Sequence, residues 1–282
     1  MTVKGHWHTG ELSTGGFRQF YRDWRPTEPA GLPVLALHGS LTQSGSWIAL
    51  AEHAGSIRLL CPDQRGFGHS EDAGDDSCAA FAADAIRLAQ QLLSGPFIVM
   101  GHSFACSIAL EVARTGGAKV QGAVLVDPVI PQIAATAAPA IDHAERFATL
   151  DQAMQHFRDT EEGQWPGDTL ARFTRDVMIP EGDGLRLPYS LDRLRRLRAF
   201  TASPASDFKL LAKAKDVNCP VLAFRGGASH RFPRDAEARF TAAFPAPPAL
   251  IVCPLSGHFP ASSETSIVAG ALTRFCTERT LS

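Results

Sequence analysis

The sequence predicts an α/β domain: a mostly parallel sheet flanked by helices, interrupted once by an inserted helical segment. Short apolar, β-branched runs alternate with longer stretches at helical spacing, the rhythm of strands joined by crossover helices. The alternation breaks once, between Pro128 and about Lys213. Composition agrees, since 282 residues with 45% hydrophobic and 20% charged side chains make a globular chain rather than a disordered or collagen-like one. Length allows one large domain or two modest ones. With 27 basic and 29 acidic residues the formal charge is −2, too little field to hold polyphosphate, so no nucleic-acid partner is expected.

The N-terminal MTVKGHWHTGELSTGGF lacks the apolar stretch of a secretory leader, and Gly, Pro or a charge interrupts every apolar run before about 18 residues. We therefore expect a soluble chain, neither exported nor in contact with a membrane. Pro33 to Leu37 reads as a strand running into His38-Gly39, and Ser56 to Cys61 as the next, followed by the turn segment PDQRGFGHSED. Cys78 to Leu93 has helical spacing. Phe97 to Met100 is a strand ending at Gly101, and Phe104 to Arg114 a helix stopped by Gly116-Gly117. Ala123 to Val126 is a strand stopped by Asp127-Pro128. The rhythm resumes with Val221 to Phe224, the helix Arg234 to Ala243, the strand Ala249 to Val252 and a helix from about Ser263 to Cys276.

The interruption shows no convincing strand, only helical or irregular stretches such as His143 to Phe157, Asp168 to Met178 and Leu191 to Ala199, with AATAAPA (134–140) reading as a hinge. It is most simply a helical lid, 128–213, over a core made of 1–127 and 214–282. Six cysteines are scattered without a CxxC pair, which suggests small buried hydrophobes in a reducing, cytoplasmic compartment and no zinc site.

Chemistry concentrates at strand ends. Gly101-His102-Ser103-Phe104-Ala105 joins a strand to a helix, a tight turn that thrusts a serine above the sheet. Ala105 replaces the final glycine of the GxSxG signature. His38-Gly39-Ser40 ends an earlier strand, where the N–H of Ser40 can join that of Phe104 as an oxyanion-binding pair. His38, His102, Trp47 and Trp165 are candidates for lining a pocket. Arg193, Arg195, Arg196 and Arg198 read as a solvated helix face, unless one turns inward to bind a substrate carboxylate. His6 and His8 have no partners that complete a metal set.

LALHGS (35–40), PDQRGFGHSED (62–72), VMGHSFA (99–105), VLVDP (124–128), VLAFRG (221–226) and PLSGHFP (254–260) together resemble the α/β-hydrolase fold family. The resemblance implies Ser103 as nucleophile, His258 as general base and a carboxylate to orient it, with no cofactor or metal and a small-molecule substrate. Members usually carry the acid after the penultimate strand, where this chain has Ser229 in RGGASHRF. Serine cannot supply the charge that stabilises an imidazolium. Asp235 is nearby but is expected inside a helix. Asp127 ends the strand that follows the nucleophile helix, and sequential strand–helix–strand units lie side by side, so Asp127 is the expected acid.

This displaced acid, with Ser229, is similar to members that hydrolyse 2-(acetamidomethylene)succinate. The acid position and HFPA (258–261) also resemble cofactor-free 2,4-dioxygenases of hydroxyquinolones, whose elbow carries a second histidine where this chain has Phe104. A serine hydrolase of an ester, amide or activated C–C bond is the leading expectation. The alternatives are such a dioxygenase, with His258 and Asp127 as base, and a non-catalytic small-ligand receptor. The sequence leaves the oligomeric state, monomer or homodimer, open.

Overall fold

The computed structural model describes residues 5–130, 143–158 and 164–280. The chain runs through β1 (Gly5–Thr14), β2 (Phe17–Pro26), β3 (Val34–Leu37), α1 (Ile48–Ala54), β4 (Leu59–Pro62), α2 (Cys78–Leu92), β5 (Phe97–His102), α3 (Ala105–Thr115) and β6 (Val120–Val126). An inserted segment follows, with β7 (Arg146–Phe147), α4 (Leu150–Arg158), α5 (Gly167–Val177), β8 (Ile179–Glu181), β9 (Gly184–Arg186), α6 (Leu191–Ala202) and α7 (Leu210–Ala214). The core resumes with β10 (Val221–Gly226), α8 (Glu237–Thr241), β11 (Ala249–Cys253), α9 (Pro260–Ser263) and α10 (Thr265–Glu278).

Eight strands form one sheet in the order β1-β2-β4-β3-β5-β6-β10-β11. From β4 to β11 neighbouring strands are parallel, while β1 and β2 add antiparallel on the β4 side. Every residue of β3, β4, β5 and β10 is buried, which is why these strands read as continuous apolar runs. Successive side chains point to opposite faces. Leu35, Val99, Leu125 and Ala223 therefore pack under α2 and α3, while Val34, Ile98, Met100, Val124 and Phe224 pack under α1 and α10. The six cysteines are free thiols, five of them buried, as expected of small core hydrophobes. No helix among the described residues is long and apolar enough to cross a membrane.

Two features depart from the sequence reading. The β1–β2 hairpin is an addition to it, because most β1 side chains are at least partly exposed and make no apolar run. The inserted segment is also not purely helical. β7, β9 and β8 form a three-stranded antiparallel sheet, built from strands of two or three residues that leave no periodic trace in the sequence. The expected hinge at 134–140 lies outside the described residues.

The arginine run of α6 is not uniformly solvated either. Arg193 is 2% exposed, pairs with Asp76, donates to the Arg65 carbonyl at 3.3 Å and lies 5.2 Å over the Phe67 ring. Arg196 pairs with Asp72 at the surface, and Gly68 N–H donates to Pro188 O at 2.6 Å. These contacts fasten the inserted segment to the loop after β4. Removing one partner of a buried ion pair leaves the other charge uncompensated and costs about 3 kcal/mol or more. Arg193→Ala is therefore expected to lower unfolding free energy by about 3 kcal/mol in urea titration. Arg195→Ala, which removes an exposed pair with Asp192, should cost less than about 1 kcal/mol.

Candidate active site

Ser103 and Asp127 occupy matching places on adjacent parallel strands. His102 and Val126 are register partners, and the next residue on each strand is Ser103 or Asp127. The chain turns sharply at both: Ser103 has φ 59° and Asp127 φ 46°, the two positive-φ residues other than glycine among the described residues. Such backbone costs on the order of 1–3 kcal/mol and persists where its surroundings enforce it. Here the Ser103 N–H donates to Val126 O at 3.0 Å and the Asp127 N–H to Phe224 O at 2.8 Å, tying each turn to the next strand.

His258 arrives from the loop after β11 and joins the two. Its Nε2 is 2.8 Å from Ser103 Oγ and its Nδ1 2.6 Å from Asp127 Oδ2. Asp127 is fully buried, Ser103 is 7% exposed, and the His258 side chain is 12% exposed. Asp127 Oδ1 accepts the Gly226 N–H at 2.8 Å, and Oδ2 also accepts the Ser229 hydroxyl at 2.5 Å. Burial pushes the Asp127 carboxyl up to about 7, against the lowering influence of the Ser229 and Gly226 donors. Asp235 is exposed in the short turn before α8 and takes no part.

His102 packs against His258, with ring centroids 4.8 Å apart. Burial drives it down to about 3, so it is neutral, and its Nε2–H donates to the His258 carbonyl at 2.7 Å. Its ring lies against the bare backbone of Gly39. A Cβ at position 39 would stand 2.6 Å from His102 Nδ1 and 3.5 Å from Ser103 Cβ. Gly39→Ala should therefore displace His102 and with it His258. We expect at least a roughly tenfold loss of turnover, together with a destabilisation from overpacking of about 1–3 kcal/mol, read by thermal unfolding. The same close approach brings the 39–40 turn beside Ser103. The backbone N–H groups of Ser40 and Phe104 have no acceptor among the described residues.

Of the four residues suggested as pocket-lining, two are placed elsewhere. His38 is fully buried with both ring nitrogens engaged, Nδ1 donating to Gly39 O at 2.8 Å and Nε2 accepting the Gln64 N–H at 3.0 Å. Trp47 is 2% exposed in the core layer beneath α1 and α10. His102 is committed to the His258 carbonyl. Trp165 is partly exposed and packs on Phe173 and Phe259, with ring centroids 5.2 and 6.2 Å away. Phe259 in turn lies 5.3 Å from the His258 ring. On the other flank Phe208 stacks on Phe104 at 5.8 Å. Nothing in the sequence singles out Phe173 or Phe208, because aromatic residues in an inserted segment are by default core. Arg65, in the loop after β4, donates to the Asp75 and Ala80 carbonyls at 2.9 and 3.3 Å and forms a buried ion pair with Asp84 at 2.6 Å.

The sequence matches the family model described as the alpha/beta hydrolase family over residues 34–271. It is 32% identical to lipase LipV of Mycobacterium tuberculosis over 105 residues, 37% of this chain and 40% of that protein. It is 30% identical to a proline iminopeptidase of Neisseria gonorrhoeae over 128 residues, 44% of this chain and 41% of that protein. The chain thus spans about two fifths of the length of these curated relatives. Similar solved structures include a thioesterase domain from the curacin biosynthetic pathway, with TM-score 0.74 at 20% identity over 96% of this chain and 99% of that one. E-2-(acetamidomethylene)succinate hydrolase gives TM-score 0.71 at 21% identity over the same shares. At such identities these structures speak to the fold alone.

Proposed function

The chain belongs to the alpha/beta hydrolase family, and from that premise we propose that it is a cofactor-independent serine hydrolase cleaving an ester, amide or activated C–C bond of a small organic substrate. The observation that carries the reading is the continuous hydrogen-bond chain from Ser103 Oγ through His258 to Asp127.

In this reading His258 Nε2 takes the hydroxyl proton as Ser103 Oγ bonds to the substrate carbonyl carbon. The carbonyl electron pair moves onto oxygen, and the N–H groups of Ser40 and Phe104 hold the resulting oxyanion; one such donor is worth about 3 kcal/mol. Collapse breaks the bond to the leaving group, which departs with the proton from His258. A water deprotonated by His258 then attacks the acyl-enzyme, and its collapse restores Ser103 and releases the acid. Asp127 accepts Nδ1–H throughout, which fixes the imidazole tautomer and stabilises the imidazolium. The inserted segment 128–213 acts as the lid. Phe173 and Trp165 on Phe259, and Phe208 on Phe104, keep water from the reacting atoms.

A fluorophosphonate probe followed by peptide mapping tests the assignment. Label on Ser103, with turnover of an activated ester equal in air and under argon, is the expected result. Label on another residue, or turnover that consumes O₂, would overturn it.

A further inference from the structure

We propose that Ser229, standing where members of the fold usually carry the acid, is a positioning residue that holds Asp127 ionised and aimed at His258. The inference rests on the reading of Asp127 as the acid of the triad.

A hydroxyl has one proton to give and two lone pairs to accept with. Ser229 Oγ accepts the N–H of Arg231 at 3.1 Å and that of Phe232 at 3.3 Å. With both lone pairs engaged, the proton has one destination, Asp127 Oδ2 at 2.5 Å. That oxygen is the one that takes Nδ1–H of His258. The serine is thus locked as a donor, and at 5% exposure water does not compete for it. Its backbone is pinned as well. Ser229 N–H donates to Gly226 O at 3.2 Å, and the adjacent Ala228 N–H donates to Ser256 O at 2.9 Å, in the loop that carries the base.

The need for such a donor follows from burial. A carboxylate removed from water is penalised in its charged form. The groups facing Asp127 are His258 and His102, the Arg225 guanidinium, and the thiols of Cys106 and Cys253. Neither thiol opposes that charge, since burial keeps both protonated and pushes Cys253 up to about 12. Neutral His102 adds no full charge. A hydrogen bond to an ionised acceptor is roughly twice as strong as a neutral one, so the Ser229 proton is a main support of the charge on Asp127. Removing it raises the proton affinity of the Asp127–His258 pair, which titrates as a unit.

The test compares wild type with Ser229→Ala and Ser229→Thr by two readouts. One is the pH dependence of kcat/KM on an activated ester; the other is the titration of the His258 ring followed by NMR, which requires no substrate. Ser229→Ala should move the acidic limb and the ring titration upward by about one pH unit. Ser229→Thr, which keeps the hydroxyl, should bring both back to within a few tenths of a unit. If Ser229→Ala does not fold, Ser229→Cys, a weaker donor of similar size, should give an intermediate limb. A variant that lowers the rate equally at every pH, with both titrations in place, makes Ser229 a turn-forming residue only and overturns the proposal. The two readings fail separately. Full activity in Ser103→Ala or Asp127→Asn would remove the hydrolase mechanism, while an unshifted His258 titration in Ser229→Ala removes the role of Ser229.

Discussion

Replacing Ser103 by alanine is expected to slow hydrolysis of an activated aryl ester by about 10³-fold or more, in kcat, with the fold intact. The size of the effect follows from what is lost. Without Oγ no covalent acyl-enzyme forms, and His258 keeps no proton to move at the reacting carbon; what survives is binding and the pair of backbone donors. The truncation removes one oxygen from a 7% exposed site and leaves the φ of 59° to a small residue, so circular dichroism and Tm should change little. Equal turnover in wild type and variant would sink the nucleophile assignment.

The second large effect belongs to Asp127→Asn. In the reference serine protease the same change costs about 10⁴-fold by presenting the wrong imidazole tautomer. Here the introduced amide would face His258 Nδ1, the ring would turn its proton to Nε2, and Ser103 would meet an N–H instead of a base. Asp235→Asn, at an exposed site, should change the rate by less than roughly tenfold.

Wild type and Asp127→Asn should also differ in how their stability responds to pH. The folded carboxyl is raised from 3.8 to about 7 by burial, so its charged form is the costly one in the fold. The stability it contributes is fully present below the unfolded value of 3.8 and is lost as pH rises through about 7. An asparagine side chain in its place has no such charge to bury. Urea titrations should therefore show the variant gaining on wild type between about pH 4 and about pH 7 while losing its activity. A variant that loses ground over that interval would contradict the burial argument.

How far fold and site were legible depends on which forces left a mark in the sequence. Strands such as Phe97–His102 and Val221–Gly226 are buried on both faces, and an apolar run is the direct imprint of that burial. The β1–β2 hairpin is held by cross-strand pairing, as between Trp7 and Trp24, and its half-exposed side chains leave no run. Its one local sign is Gly15-Gly16 between Thr14 and Phe17, both glycines at positive φ, a two-residue hairpin turn. Ser103 left a mark in its strand–turn–helix signature and Asp127 in the side-by-side packing of sequential strand–helix–strand units, whereas His258 was named from the family resemblance. The misplaced residues, His38 and Trp47, fail for the opposite reason: which way a side chain points from a turn is decided by its hydrogen bonds and packing, and these two are satisfied or packed inside the core. The part played by Ser229 had no sequence signature, since it depends on which of its lone pairs are already taken.

The order of the strands sets one further consequence. Along the carboxyl edge of the sheet, Ser103, Asp127, the Ser229 loop and His258 leave β5, β6, β10 and β11 in turn, neighbours about 4.8 Å apart. His258 therefore starts three strands from Ser103 and has to reach back over the end of β10. It crosses at Gly226-Gly227. A Cβ on Gly226 would stand 2.8 Å from Ser256 O and also strike Gly257 O, and one on Gly227 would stand 2.8 Å from Pro254 Cα. Those two bare residues form a saddle under the histidine loop, and the saddle places the imidazole between two possible addresses for a carboxylate, the end of β6 and the end of β10. Both addresses converge on one oxygen of Asp127. The end of β6 supplies the carboxylate and the end of β10 a hydroxyl, and the imidazole that reaches back over β10 meets both at that single oxygen.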